Sequence, residues 1–321
     1  MAATLNFTAD EYDRRIASTR TAMAARDIEL LVVTDPSNMA WLTGYNGWSF
    51  YVHQCVLLPP DAEPVWYGRG QDANGARRTT FLGDAQIVGY PDHYVQSTER
   101  HPMDHLSESV IRPRGWDRRR IGVEMDNYYF SAACDASLRR HLPDATFVDA
   151  TGLVNWQRAV KSETELLYMR RAARIVEAMH ARIFELVEPG LPKHELVAEI
   201  YRTGIRGADG HGGDYPAIVP LVPSGADASA AHLTWDERPF KQDEGTFFEI
   251  AGCHRRYHCP LSRTIYLGKP PPKFRDAEQA VLEGIAAALE AARPGHRCED
   301  VEAAWRKVIA RYGIDKESRC G

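Results

Sequence analysis

The 321-residue sequence lacks a long hydrophobic run, an extended basic block and a regular spacing of cysteines. Its longest apolar runs, such as LLVV, fall far below the roughly 20 residues that span a bilayer, and the first residues contain no apolar signal core. A net charge of −5 argues against nucleic acid or an anionic membrane as a partner. The six irregularly spaced cysteines fit reduced thiols, so we expect a cytoplasmic protein.

The first part of the chain alternates short apolar runs with helical segments, which predicts an α/β domain over residues 1–155. TADE at residues 8–11 is a capping box that begins a helix. Apolar runs bounded by turn residues indicate the strands: IELLVVT, VHQCVLLP, EPVWYG, AQIVGY, RRIGVEMD and ATFVDA.

The remainder, residues 156–321, predicts a second domain of the α+β class. SETE at residues 162–165 is another capping box, and the apolar stripe that follows predicts a long helix that ends at Pro189-Gly190. The next segment, HELVAEIYRTGIRG, predicts a second helix. Three strands are then predicted at AIVPLVPSG, TFFEIAG and SRTIYLG. Two further helices follow at DAEQAVLEGIAAALEAA and EDVEAAWRKVIARYG.

An internal repeat organises this second part. Pro189-Gly190 recurs as Pro294-Gly295, an offset of 105 residues (294 minus 189), and the helix pattern that follows recurs at the same offset. Two related α-α-β units are therefore predicted. The sheet of the second unit would begin beyond Gly321, so we expect a truncated chain, a fragment, or a partner that supplies the remainder.

These features resemble the creatinase and aminopeptidase P family, whose members join a creatinase-like α/β domain to a pita-bread domain. QRAVKSETELLYMRRAARI is similar to the family's entry into its catalytic domain. SGADASAAHLTWDERPFKQDEGTFFEIAG resembles its catalytic core, in which His232 falls on the active-site histidine. The resemblance implies a peptidase M24-like hydrolase that forms a homodimer and acts on a small molecule.

Two departures from that pattern bear on metal binding. Metal-dependent members have an aspartate where Glu249 stands, and a second one where this chain has Pro260 in HCPLSRT. Since proline has no donor atom, we expect no metal and no other cofactor. PSNMAWLTGYNGWSFYVHQCVLLP and FFEIAGCHRRYHCPLSRT further resemble members that hydrolyse a cyclic amidine. The amidinium carbon is already polarised, so the reaction needs no Lewis acid.

Glu249 and His232 are the candidate catalytic residues. A carboxylate beside a cationic substrate can activate water or attack the carbon directly, and the sequence leaves both roles open. An imidazole that titrates near neutrality can carry the proton. The alternative for Glu249 is a buried ion pair with a nearby arginine, since Phe247, Phe248 and Ile250 predict burial around it. For His232, the alternative is a loop histidine without a catalytic role.

Candidate substrate contacts come from three other segments. In NGWSFYVHQ, a strand would point Trp48 and Phe50 one way and Tyr51 and His53 the other, and either face could belong to the core. An aromatic face attracts a delocalised cation by about 0.5–2 kcal/mol. Arg263 could bind a substrate carboxylate or pair with Glu249. Asp214 and Tyr215 of GGDYPA are the remaining candidates.

The segment CHRRYHC offers donor atoms for zinc, but its geometry does not favour a site. It lies where a hairpin turns, so adjacent Cys253 and His254 point to opposite faces, as do His258 and Cys259. The sequence therefore predicts a metal-independent hydrolase of a cyclic amidine. The alternatives are another C–N hydrolase of the family, creatinase-like or specific for Xaa-Pro peptides, and a non-catalytic binding module.

Overall fold

The computed structural model describes residues 5–314, which form two compact units that divide between Thr164 and Glu165. The sequence predicts this border nine residues earlier, between residues 155 and 156. Within residues 5–314, no helix has both the length and the apolar character that a bilayer crossing requires.

A six-stranded mixed sheet forms the centre of the first unit. The order across the sheet is β4-β3-β2-β1-β5-β6, with β2 antiparallel to both of its neighbours and the other pairs parallel. All six predicted strands are confirmed, and their bounds are β1 (Leu30–Val33), β2 (Cys55–Leu58), β3 (Val65–Arg69), β4 (Ile87–Tyr90), β5 (Arg120–Val123) and β6 (Thr146–Asp149).

Helices cover both faces of this sheet, as expected for strands that are apolar on both sides. Leu31 and Val33 pack into one hydrophobic cluster, whereas Leu30 and Val32 pack into the other. The predicted cap is confirmed at Thr8, whose hydroxyl accepts a hydrogen bond from the Glu11 N–H. The helices are α1 (Ala9–Ala24), α2 (Pro36–Thr43), α3 (Ala73–Thr79), α4 (Pro102–Leu106), α5 (Ala132–His141) and α6 (Leu153–Gln157).

In the second unit, a long β-hairpin packs on two helices. Phe248 and Ile250 are fully buried against α7 and α8 because they occupy alternate positions on the inner face of β7. The close approach of α7 requires glycine at position 252, where a Cβ would lie 2.2 Å from the Ala172 carbonyl oxygen. The elements are α7 (Glu163–Leu186), α8 (Lys193–Arg206), β7 (Glu244–His254), β8 (Tyr257–Leu267), α9 (Pro272–Ala291) and α10 (Cys298–Arg311).

The predicted repeat is confirmed in the helical boundaries. α8 and α10 have 14 residues each and begin 105 positions apart (298 minus 193), and α7 and α9 end at the same offset. Gly190 and Gly295 both adopt positive φ, at 95° and 91°, in the turns between the paired helices. The predicted second sheet lies outside the described residues. AIVPLVPSG contributes isolated bridges at Leu221 and Ser224 instead of a continuous strand.

Candidate functional site

Glu249 occupies the middle strand of a three-segment arrangement. It lies opposite Ser262 in β8, and on its other side it forms an antiparallel bridge with Leu221. The Leu221 N–H donates a hydrogen bond to the Glu249 carbonyl at 3.0 Å, and the Glu249 N–H donates to the Leu221 carbonyl at 3.1 Å. Because directly opposed residues of antiparallel strands point to the same face, Leu221, Glu249 and Ser262 form one row across the sheet.

The described strand residues that surround Glu249 on its face are uncharged. The inner face of β7 is filled by Phe248 and Ile250, so the alternate residues point away from α7 and α8. Phe247 is only half-buried there, which corrects the expectation that all three apolar neighbours are buried. Strand pairing places these residues around Glu249 on its face: Leu221, Pro223, Phe247, Ala251, Pro260, Ser262 and Thr264.

The carboxylate of Glu249 is half-buried and has no ion-pair or hydrogen-bond partner among residues 5–314. The ion pair with a nearby arginine, considered from the sequence, is therefore not observed in this part of the chain. A carboxylate that is partly withdrawn from water is stabilised by a nearby positive charge. A cationic ligand would supply this charge.

Pro260 shares the face with Glu249 and lies diagonally from it, opposite Ala251. The two positions where metal-dependent relatives would carry aspartates are therefore neighbours in space. Here they supply one carboxylate and one side chain without a donor atom. Within residues 5–314, no group of three histidine, cysteine, aspartate or glutamate ligands forms on this face. These residues do not fit the paired-carboxylate metal site of the family.

His232 lies in an exposed segment between the 3₁₀ turn Gly225–Ser229 and Phe240. The end of this segment is fixed to the turn between α7 and α8, because the Phe240 N–H donates to the Leu191 carbonyl. Arg238 also forms ion pairs with Asp227 and Asp236. The imidazole is exposed and makes no hydrogen bond to Glu249 in the described structure. Its catalytic role stays a prediction.

Arg263 lies on the face opposite Glu249. It is paired with Phe248 in the hairpin, and its neighbours Leu261 and Ile265 pack against the inner core. Of the two alternatives that the sequence left open for Arg263, pairing with Glu249 is therefore not observed, because alternation along β8 directs the guanidinium away from the carboxylate. Arg263 instead lies near His180 of α7, where burial, followed by the charge of Arg263, lowers the pKa of the imidazole.

Asp214 and Tyr215 lie at the turn end of the hairpin. The Asp214 N–H donates to the Cys253 carbonyl at 2.9 Å, and its carboxylate accepts from the Arg256 N–H at 3.2 Å. The Tyr215 ring lies 3.9 Å from the Arg256 guanidinium. Cys253 lies four positions along the strand from Glu249, which is a distance of about 13 Å. These contacts support the turn, and a role in substrate binding stays a prediction.

The hairpin turns at Arg255 and Arg256, as predicted, with positive φ at both residues. Cys253 pairs with His258 on one face, and His254 points to the other. His258 accepts from the Ala217 N–H and donates to the Arg256 carbonyl, both at 3.0 Å. His254 donates to the Gly212 carbonyl at 2.9 Å and accepts from Arg171 at 3.4 Å. Both ring nitrogens of each histidine thus have protein partners.

Residues 48–53 do not form the strand that was considered for them as an alternative, because this segment forms turns before β2. Hydrogen bonds from Ser49 to Gln54 and from Val52 to Ser49 close the segment on itself, which prevents extension. The exposed Trp48 ring consequently lies 5.1 Å from Phe50 and 5.7 Å from Tyr51. His53 instead lies against Cys134 and His101.

Two residues with hydroxyl side chains lie near Glu249 and were not predicted as site residues from the sequence. Ser262 and Thr264 are exposed on its face, opposite Glu249 and Phe247, and neither hydroxyl has a hydrogen-bond partner among residues 5–314. The signal that could have found them is the hairpin register. A two-residue turn at Arg255 and Arg256 fixes every later pair, including Glu249 with Ser262.

Two family models match the chain, and the residues they match correspond to its two compact units. Residues 15–160 match the Creatinase/Prolidase N-terminal domain, and residues 168–321 match Metallopeptidase family M24. Among solved structures, a recombinant prolidase from Thermococcus sibiricus superposes with a TM-score of 0.81 at 19% identity, covering 94% of this chain and 78% of that one. This likeness concerns the fold.

Two curated relatives are similar over nearly the entire sequence. Ectoine hydrolase from Halomonas elongata is 57% identical, with 99% of this chain and 81% of that protein covered. The uncharacterized hydrolase/peptidase y4tM from Sinorhizobium fredii is 40% identical over the same shares of the two chains. Both alignments span the hairpin that carries Glu249 and Ser262.

Proposed function

Because the chain belongs to the creatinase and aminopeptidase P family of hydrolases, we propose that it hydrolyses ectoine, a cyclic amidine, to an N-acetylated 2,4-diaminobutyrate. The observation that carries this proposal is the 57% identity to ectoine hydrolase over 99% of the chain. The carboxylate of Glu249 has no partner among residues 5–314, and the strand residues around it on its face are uncharged, which suits a cationic substrate.

The proposed reaction adds water to the amidinium carbon. The water oxygen bonds to this carbon, one ring C–N bond breaks, and the released nitrogen takes a proton. The carbon and its methyl group become the acetyl group of the product. Glu249 stabilises the cation and either removes a proton from water or forms a transient ester with the carbon. His232 transfers the proton to the departing nitrogen.

We propose that this reaction does not depend on a metal in the Glu249 site. A protonated amidine already has positive charge at the carbon that water attacks, so a Lewis acid adds little polarisation. Pro260, beside Glu249 on the same face, removes the donor atom that a metal-dependent relative would use. The positive charge of the substrate and the loss of a metal ligand at Pro260 are therefore both consistent with a metal-independent mechanism.

Substrate contacts remain predictions for six residues. The exposed rings of Trp48 and Tyr51 leave faces on which a delocalised cation can stack, a contact that stabilises by about 0.5–2 kcal/mol. His53 is a weaker candidate because its ring lies against Cys134. Ser262 is a stronger candidate than Arg263 for a polar contact beside Glu249, since it shares the face. The remaining predicted contacts are Asp214 and Tyr215.

The protein is further proposed to be a cytoplasmic homodimer. Five cysteines in the described residues are free thiols, which supports a reducing compartment: Cys55, Cys134, Cys253, Cys259 and Cys298. The dimer is carried over from the family, and light scattering at several protein concentrations measures it directly.

The test is the conversion of ectoine, followed by proton NMR, on the protein encoded by the complete gene after exhaustive dialysis against a chelator. We expect the acetyl resonance of the product to appear at the same rate before and after chelation. Loss of turnover on chelation, with recovery on adding metal, would contradict the metal-free mechanism. Turnover of creatine or an Xaa-Pro dipeptide in place of ectoine would contradict the substrate. Binding of ectoine without turnover would indicate a binding module.

A further inference from the structure

Three side chains that bind transition metals meet in the first unit, outside the Glu249 site. One ligand atom from each of His53, His101 and Cys134 lies within 4.8 Å of the others. The Cys134 Sγ is 3.5 Å from His53 Nδ1 and 4.0 Å from His101 Nε2. They come from the loop before β2, the residue before α4, and the first turn of α5, so the fold and not a local motif assembles them.

Their spacing is close to that of a tetrahedral metal site. With Zn–N and Zn–S bonds of about 2.1 and 2.3 Å, a tetrahedral ion separates its nitrogen and sulfur ligands by about 3.6 Å. The two sulfur–nitrogen distances, 3.5 and 4.0 Å, are near this value. Small rotations of the two rings would complete the convergence. One thiolate and two imidazoles are also donors that zinc prefers over magnesium or calcium.

The sulfur of Cys134 lies among polar groups at the start of α5. Ser131 donates a hydrogen bond to Cys134 Sγ at 3.4 Å, and the Cys134 N–H donates to the Ser131 hydroxyl at 3.3 Å. A metal binds a thiolate and neutral imidazoles, so occupation of this site would release the thiol proton.

Binding would change one existing contact. His101 Nδ1 accepts a hydrogen bond from the Met103 N–H at 3.1 Å, which leaves the proton of the neutral ring on Nε2. Coordination through Nε2 moves that proton to Nδ1, so this hydrogen bond must be released. The start of α4 remains capped, because Asp104 accepts from the His101 N–H at 2.8 Å. One neutral hydrogen bond is thus exchanged for a metal–nitrogen bond.

A cavity of about 270 Å³ adjoins the cluster. His53 and His101 line it, while Cys134 is buried behind them. An ion held by the three side chains would have its fourth position directed towards this cavity. Arg100 is the charged residue among the others that line it, and six of these are aromatic: Phe50, Tyr51, Tyr90, Tyr94, Tyr128 and Tyr129.

We propose that His53, His101 and Cys134 bind a Zn²⁺ ion whose fourth position is open to the adjoining cavity. Three protein ligands with one exchangeable position are the arrangement of a reactive or ligand-binding zinc, as opposed to a closed structural one. This site shares no residue with the Glu249 face, although His53 is also a predicted substrate contact, and the metal binding does not depend on the proposed hydrolysis.

The test is a Co²⁺ titration of the chelator-dialysed full protein, monitored by absorption. A thiolate-to-Co²⁺ charge-transfer band in the near ultraviolet should saturate at one equivalent and disappear on adding one equivalent of Zn²⁺. Cys134→Ser should abolish the band, and His53→Asn should weaken Co²⁺ affinity by more than the roughly 10- to 100-fold that loss of an outer-shell partner of a ligand costs. Cys298→Ser and His93→Asn alter exposed residues of the same types and should leave the titration unchanged.

A band that persists in Cys134→Ser, or an affinity unchanged in His53→Asn, would overturn the proposal. Absence of any charge-transfer band in the unaltered protein would do the same. If Cys134→Ser does not fold, the Co²⁺ affinities of His53→Asn and of its control His93→Asn test the proposal. The Cys134→Ser variant also separates the two proposals: folded, metal-free protein should still convert ectoine, and loss of conversion would overturn the independence of the zinc site from the hydrolysis.

Discussion

Glu249 and Ser262 lie directly opposite each other in β7 and β8, so a half-buried carboxylate and an exposed hydroxyl share one face of the hairpin. Neither side chain has a hydrogen-bond partner among residues 5–314. This pairing follows from the two-residue turn at Arg255 and Arg256, which fixes the register of the whole hairpin. The polar groups available to a substrate are thereby set by a turn several residues away.

Glu249→Gln is expected to lower kcat for ectoine hydrolysis by about 100-fold or more, because the amide can neither accept a proton nor attack carbon. The fold should be retained, since the carboxylate has no described partner to lose. Glu244→Gln, on the same strand, is the matched control and should keep activity. The measurements are NMR turnover and circular dichroism, and retained turnover in Glu249→Gln would contradict the assignment.

His232→Gln is expected to lower kcat by about 100-fold with no change in thermal stability, because the imidazole is exposed and its proposed task is proton transfer. His194→Gln replaces an exposed histidine of α8 and serves as control. Steady-state kinetics separates kcat from KM. A variant that raises KM alone would point to substrate binding and not to proton transfer.

Phe248→Ala is expected to lower the free energy of unfolding by about 3–5 kcal/mol, because the ring is fully buried against α7 and α8 and its removal leaves a cavity. Phe247→Ala, one position earlier on the half-buried face, should cost clearly less. Denaturant unfolding of both variants tests the alternation. Equal losses would show that the two faces of β7 are packed alike.

Stability is expected to fall as the pH drops below 6.5, partly through His180. Burial is the main cause that lowers the pKa of His180 from 6.5, and Arg263 lowers it further, although the hydrogen bond to the Leu261 carbonyl opposes both. Below pH 6.5 the unfolded chain binds a proton that the folded chain resists, so the stability present above this pH is lost. His180→Gln should reduce the pH dependence of thermal unfolding, while His194→Gln should not. An identical dependence in His180→Gln would exclude this contribution.

Much of the fold follows from short-range sequence signals. The Thr8 cap, the Pro189-Gly190 turn and the 105-residue repeat predicted helix boundaries that the structure confirms. The six strands of the first unit were likewise predicted from apolar runs bounded by turn residues. The segment at residues 48–53 was different, because hydrogen bonds among Ser49, Val52 and Gln54 override its strand-like composition.

The sequence by itself determined the order of the helices and strands, since caps, turns and periodicity act within a few residues of each other. Only the tertiary structure decided that Arg263 lies on the opposite face from Glu249 and that the carboxylate has no partner in the described chain. It also brought His53 within 3.5 Å of Cys134, 81 positions away. Such meetings depend on strand register and on the packing of distant segments, which local propensity does not specify.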